Sequence, residues 1–244
     1  MITKTFICGC GHSGTTLLAN MLAANPRAYV PQFESYMFFK DDPRPFLRRY
    51  YLKTLLRGRR HFVEKTPRHV YRIDEIRRCV DGARIVLMVR DGRDVSASFE
   101  KRHGELETGN ARWLEANEIV LAERDAPDTI LLRYEDLVRQ PEEWLRRVCE
   151  FTGIPFRESM LRFHESQRLW FGGKEMAQAS GAQGEDHAKL RNWQVNQPLF
   201  DGSGKWKKAF PDGAPAAIVT GRGADLMRAF GYDPDEDPGR PEPE

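Results

Sequence analysis

The segment Gly9-Cys10-Gly11-His12-Ser13-Gly14-Thr15-Thr16 constrains this chain more than any other. It joins an apolar run, Phe6-Ile7-Cys8, to a helical pattern with Leu17, Leu18, Met21 and Leu22 at helical spacing, stopped by Asn25-Pro26. A strand, a glycine-rich turn and a helix in that order let backbone N–H groups curl around an oxyanion at the positive end of the helix dipole. The spacing Gly9 to Gly14 matches the triphosphate loop G-x-x-x-x-G-K-[ST], but Thr15 stands where that loop needs its lysine. A loop for a less charged, phosphate-like group is therefore expected; a tight turn with no ligand is the plainer alternative.

Further apolar runs alternate with helical patterns, the signature of an α/β fold with a central parallel β-sheet flanked by helices. Strands are expected at His61–Glu64, Arg84–Val89 and Thr129–Tyr134. Helices are expected from about Ser13 to Ala24, through Val70–Val80, and at Val95–Lys101, Ala111–Arg124, Pro141–Phe151 and Ala214–Phe230. Between 172 and 189 glycines sit among small polar residues without periodicity, so a mobile loop is expected, placed to act as a lid. One domain over residues 1–232 follows, with an acidic, proline-rich, disordered tail at 233–244.

That tail hides the charge of the body. The whole chain of 244 residues has 38 Lys and Arg against 36 Asp and Glu. Without its last twelve residues, which hold six acids and one Arg, 37 basic and 30 acidic groups remain. A basic body suggests anionic ligands. The four cysteines, Cys8, Cys10, Cys79 and Cys149, form no disulfide framework and are expected as strand and core thiols. No apolar run approaches the ~20 residues that span a bilayer, and the N-terminus enters the first motif directly. A cytoplasmic protein without membrane insertion is the expectation.

A second segment, Arg90-Asp91-Gly92-Arg93-Asp94-Val95-Ser96-Ala97-Ser98, follows the strand that ends at Val89. Arg90 leaves the carboxyl end of that strand, where open α/β sheets bind ligands, and Ser98 lies about two turns further on. An arginine fork suits phosphate because it pairs bidentately with two oxygens. The bland alternative is a local Arg90–Asp91 ion pair at a helix start.

Together, and in this order, the two segments resemble those of the sulfotransferases that use 3′-phosphoadenosine 5′-phosphosulfate. Ser13-Gly14-Thr15-Thr16 is similar to the family's [R/K]-S-G-T-T phosphosulfate loop, and Arg90 to Ser98 to its R-D-x-R-D-x-x-x-S segment for the 3′-phosphate. Arg133-Tyr134-Glu135-Asp136-Leu137, Phe151-Thr152-Gly153-Ile154 and Gly204-Lys205-Trp206-Lys207 resemble further motifs, so the likeness runs from Thr5 to Phe210. It implies a P-loop-like three-layer sandwich and a bacterial enzyme that needs no metal. Its donor would be 3′-phosphoadenosine 5′-phosphosulfate and its product 3′,5′-diphosphoadenosine. The resemblance assigns the nucleotide to Gly11, His12, Ser13, Gly14, Thr15, Thr16, Arg90, Ser98, Arg102, Tyr134, Lys205 and Trp206. His12 departs from the family's Arg or Lys at that place.

For catalysis, Glu64-Lys65-Thr66-Pro67 resembles an E-K-[ST]-P segment of the carbohydrate and tyrosyl-protein branches. Pro31-Gln32-Phe33-Glu34-Ser35 lies where some branches carry a base. The resemblance makes Glu34 the base, with Glu64 competing, and gives Lys65 and His12 the stabilisation of the sulfuryl oxygens and leaving group. The acceptor is a hydroxyl, expected on a carbohydrate, an anionic glycan being one candidate. Seven basic residues and no acids lie between Arg44 and Arg60, either as the solvated face of a helix or as a shelf guiding that acceptor. Trp170, Phe171 and Trp193 stand ready to stack on sugars or to anchor the loop. A P-loop small-molecule kinase is the alternative enzyme. A nucleic-acid module using the 44–60 stretch is the alternative binder.

Overall fold

A computed structural model describes residues 2–170 and 187–236. Five strands form one parallel sheet in the order β2-β3-β1-β4-β5. They are β1 (Thr3–Gly9), β2 (Ala28–Tyr29), β3 (His61–Lys65), β4 (Ala83–Val89) and β5 (Thr129–Arg133). In β4 alternate residues serve opposite faces. Ile85, Leu87 and Val89 join one core with Phe6, Phe62 and Trp113, while Val86 and Met88 join another with Ile7, Val63 and Leu132. A strand covered on both sides tends to be a near-continuous apolar run, which is why β4 was legible.

Helices supply the outer layers. On the first face lie α2 (Arg44–Leu56), α3 (Ile73–Cys79), α5 (Leu106–Glu123) and α11 (Gly221–Ala229). On the second lie α1 (Thr15–Ala23) and α7 (Pro141–Thr152). The sheet flanked on both faces is the expected three-layer sandwich. At the carboxyl ends of the strands sit α4 (Gly92–His103), α6 (Tyr134–Arg139) and the short α9 (Trp206–Ala209). Outside that group are α8 (His187–Gln194) and α10 (Ala216–Val219).

Three expectations change. The pattern Val70–Val80 is a 3₁₀ segment over Pro67–Arg72 followed by α3. The expected C-terminal helix is broken at Thr220, whose backbone is extended, into α10 and α11; Gly223 permits the close crossing, since a Cβ there would lie 2.2 Å from the Ala217 carbonyl oxygen. And Asp233–Glu236, expected in the tail, is described: the Glu236 carboxylate accepts from Arg93 and Lys207, each at 2.8 Å. Residues 237–244, and 172–186 of the expected mobile loop, lie outside the described residues.

The turn out of β1 depends on Gly9, with φ +147° and an added Cβ only 2.2 Å from the Met88 carbonyl oxygen on the neighbouring strand. Backbone cannot yield there. Gly9→Ala should cost at least ~3 kcal/mol by urea denaturation. Gly58→Ala, also left-handed at φ +63° but with open space around it, should cost only about 1 kcal/mol.

Candidate active site

The loop after β1 ends at Gly14, left-handed at φ 84°, and no side chain caps α1. The first-turn amides of a helix have no internal partners. Gly14, Thr15 and Thr16 line a cavity of about 740 Å³ at the carboxyl ends of the strands. The Ser13 hydroxyl beneath the loop is buried without a partner. An uncapped helix start and an orphaned hydroxyl fit an oxyanion, as the sequence pattern suggested.

Cations ring the same cavity: Arg90, Lys101, Arg102, Lys205 and Lys208, with Ser98 beside them. Arg90 is fixed three ways. It donates to the His12 carbonyl at 3.2 Å and to the Gly202 carbonyl at 2.6 Å, and its guanidinium lies 4.4 Å from the Tyr134 ring centroid. The Tyr134 hydroxyl in turn accepts from the Gly202 N–H at 3.1 Å. His12 is held left-handed at φ 67°, with Nδ1 2.8 Å from the Ser98 hydroxyl, so it struts the loop to α4.

Asp94 is buried behind these groups and accepts from the backbone N–H of Gly204 and of Trp206 at 2.8 and 2.9 Å. Burial raises its carboxyl against the pull of Arg90 and those two N–H groups. It thereby ties the Gly204–Lys208 turn to α4. Trp206, expected at the nucleotide, faces away from the 740 Å³ cavity and stacks beneath the Arg93 guanidinium at 4.0 Å. Lys205 and Lys208 face the cavity from the same short turn.

A second cavity of about 720 Å³ adjoins the first, sharing His12, Thr15, Thr16 and Arg102 as its wall. Gly11 and Glu34 line it, among Tyr36, Phe39, Tyr71, Phe99 and His103, with Arg68 and Arg112. Glu34 accepts from Lys65 at 2.7 Å on Oε1 and from the Tyr36 hydroxyl at 2.7 Å on Oε2. Lys65 is buried behind it, over the Trp170 ring at 5.0 Å. Glu64, by contrast, is inaccessible and saturated: Ser35, Thr66 and His69 all donate to it. Burial alone would raise its carboxyl, but His69 and the hydrogen bonds from His69, Thr66 and Ser35 hold it below the ordinary range. Among the described residues no three His, Cys, Asp or Glu side chains are grouped as a metal site.

The sequence reading overlooked Lys101, Lys208, Asp94, Arg68, Arg112 and Glu236. Lys101 was within reach, three residues after Ser98 on the same helix face; the others depend on long-range packing. The 44–60 stretch lines neither cavity, so the shelf reading is not supported. Trp170 is fully buried and unavailable for stacking, Trp193 is half-buried in α8, and Phe171 lies outside the described residues.

Fold and site together define a P-loop-like α/β protein with a cation-lined cavity at the carboxyl ends of its strands. A family model described as "Sulfotransferase family" matches residues 43–158, which include Lys65, Arg90, Ser98 and Tyr134. The chain is 27% identical over 168 residues to protein-tyrosine sulfotransferase A of Caenorhabditis elegans, covering 64% of this chain and 40% of that protein. The chain thus spans less than half the length of the curated relatives it matches. Its fold is similar to a sulfotransferase domain of the Synechococcus PCC 7002 olefin synthase, with TM-score 0.69, 18% identity and 94% of each chain covered. It is also similar to a mouse sulfotransferase solved with PAP, with TM-score 0.52 and 13% identity over 94% of this chain and 88% of that one. These likenesses support a relationship to the sulfotransferase family, carried by the matched segment 43–158.

The Gly204–Lys208 turn can be tested through nucleotide binding. Glu236→Ala removes the contact that joins Arg93 to Lys207 behind it. The affinity for 3′,5′-diphosphoadenosine, measured by calorimetry, should fall about three- to tenfold. Partial burial, with Arg90 and Lys101 close by, holds the Lys205 ammonium below the ordinary lysine range. A lowered lysine loses its proton at a lower pH than an ordinary one. Nucleotide affinity should therefore decline on the alkaline side in the wild type, and Lys205→Arg should flatten that decline in the same titration.

Proposed function

We propose that this chain transfers the sulfuryl group of 3′-phosphoadenosine 5′-phosphosulfate to an acceptor hydroxyl. The observation that carries the reading is the pair of cavities meeting at His12, Thr15, Thr16 and Arg102, one cationic, the other holding a carboxylate. The donor's phosphosulfate would lie on the amides of Gly14, Thr15 and Thr16, and its 3′-phosphate against Arg90, Ser98, Arg102 and Lys205. In-line transfer breaks the sulfur–oxygen bond to the 5′-phosphate as the acceptor oxygen bonds to sulfur, so positioning and oxyanion stabilisation carry the chemistry.

Glu34 is the base in this reading. It alone of the two candidates lines the acceptor cavity, and a base must lie within hydrogen-bond reach of the proton it takes. The acceptor hydroxyl takes the place of the Tyr36 hydroxyl on Oε2, while Lys65 keeps Oε1 oriented and its charge close to the sulfuryl oxygens. Glu64 has no lone pair facing a cavity and acts by fixing Ser35 and the loop that carries Glu34. His12, anchored by Ser98, stands at the wall shared by the two cavities, where the leaving phosphate would sit.

For the acceptor, a carbohydrate hydroxyl is proposed, with aromatic walls for the sugar face and Arg68, Arg102 and Arg112 for acidic substituents. The second reading is a tyrosine in an acidic peptide, favoured by the likeness to protein-tyrosine sulfotransferases and by Tyr36, a phenol already seated on Glu34. A triphosphate kinase finds no support, since Thr15 replaces the loop lysine and Asp94 is committed to Gly204 and Trp206.

Thermal shift tests the donor. Stabilisation by 3′,5′-diphosphoadenosine should exceed that by ADP, and equal stabilisation would sink the reading. Labelled donor with acidic glycans and with tyrosine peptides then separates the acceptors. Glu34→Gln should lower kcat by roughly 10²- to 10⁴-fold with donor affinity retained; normal turnover in that variant would remove Glu34 as the base.

A further inference from the structure

The basic stretch of α2 has no part in the site described above, and its surroundings do not neutralise it. Between Arg44 and Arg60 lie Arg44, Arg48, Arg49, Lys53, Arg57, Arg59 and Arg60, with no acid among them. Among the described residues none of the seven forms an ion pair. A solvated helical face usually mixes its charges; this one does not.

The second observation is apolar. Leu47, Tyr50 and Thr54 turn inward, Tyr50 stacking on Phe62 of β3 at 5.6 Å. On the outer side Leu52, Leu55 and Leu56 are 56%, 57% and 76% exposed. At 100° per residue Leu52 lies between Leu55 and Leu56, and Arg48 and Arg49 flank it on the preceding turn. Three leucines on adjoining turns, standing out from a convex helix and surrounded by cations, have the pattern of a helix that lies in a lipid interface.

Position agrees. The chain leaves α2 at the amino end of the sheet, where the Arg60 carbonyl accepts from the first residue of β1 and Arg59 donates to the Ala28 carbonyl of β2. Both cavities open at the carboxyl ends of the strands. A surface engaged through the end of α2 therefore leaves the site open.

We propose that the outer face of α2 is a peripheral docking surface for an anionic membrane, with Leu52, Leu55 and Leu56 entering the headgroup layer and the cations meeting the lipid charge. A membrane suits a protruding patch, whereas a folded partner would have to supply a groove for it. No helix of the described residues is long and apolar enough to cross a membrane, so the contact is interfacial.

The test uses the whole chain and vesicles of phosphatidylcholine, with and without phosphatidylglycerol, in flotation at low and high salt. Binding is expected only to the anionic vesicles, weakening with salt. Arg48→Glu with Arg49→Glu should lower the partition coefficient at least ~tenfold. Leu52→Ser, Leu55→Ser and Leu56→Ser together should also abolish it, with affinity for 3′,5′-diphosphoadenosine unchanged in both variants. No binding to anionic vesicles overturns the proposal, as does full binding by the leucine variant. A dimer in light scattering that the leucine variant dissolves overturns it in favour of a second copy. Binding to polyglutamate as tight as to vesicles, with the leucine variant unaffected, overturns it in favour of an acidic protein.

Discussion

A carboxylate removed from water has to be given hydrogen-bond donors, and two such carboxylates organise the carboxyl end of this sheet. Glu64 draws in Ser35, Thr66 and His69, and so folds the segment before α2 over the end of β3. Asp94 draws in two backbone N–H groups from a turn more than a hundred residues later. Neither acid reaches a cavity wall with a free oxygen, yet each carries a loop that does. Glu34 stands on the first loop, and Lys205 and Lys208 on the second. The chemistry is thus held on irregular backbone that two buried charges make rigid.

How much of this was legible follows from where each signal resides. Strands β1, β4 and β5 were readable from their apolar runs Phe6–Cys8, Ile85–Val89 and Ile130–Leu132, and the turn after β1 because its glycines are local necessities. Residue motifs brought together many residues that line the larger cavity, since consecutive positions on a loop or one helix face stay together when folded. Trp206 shows the limit: its neighbour Lys205 lines the cavity, but the turn between Gly204 and Ala209 sends the indole under Arg93 instead. Glu236 shows another. An acid in a proline-rich terminal stretch carries no local mark of a partner that only tertiary packing brings near.

Charge is divided by the fold more sharply than composition suggests. Five cations line the larger cavity beside Asp94, three arginines, Arg102 among them, border its neighbour, and seven cations without an ion pair among the described residues lie on and just after α2, which ends at the amino end of the sheet. A summed field of one sign hides these three separate groups of cations.

The wall of His12, Thr15, Thr16 and Arg102 belongs to both cavities. Under the proposed function its residues cannot be altered to suit a new acceptor without disturbing the donor. Divergence toward other acceptors is therefore channelled to positions that touch only the outer cavity, such as Tyr36, Phe39, Arg68 and Tyr71. These belong to two short irregular segments after β2 and β3, whose sequence can drift while the nucleotide chemistry stays fixed.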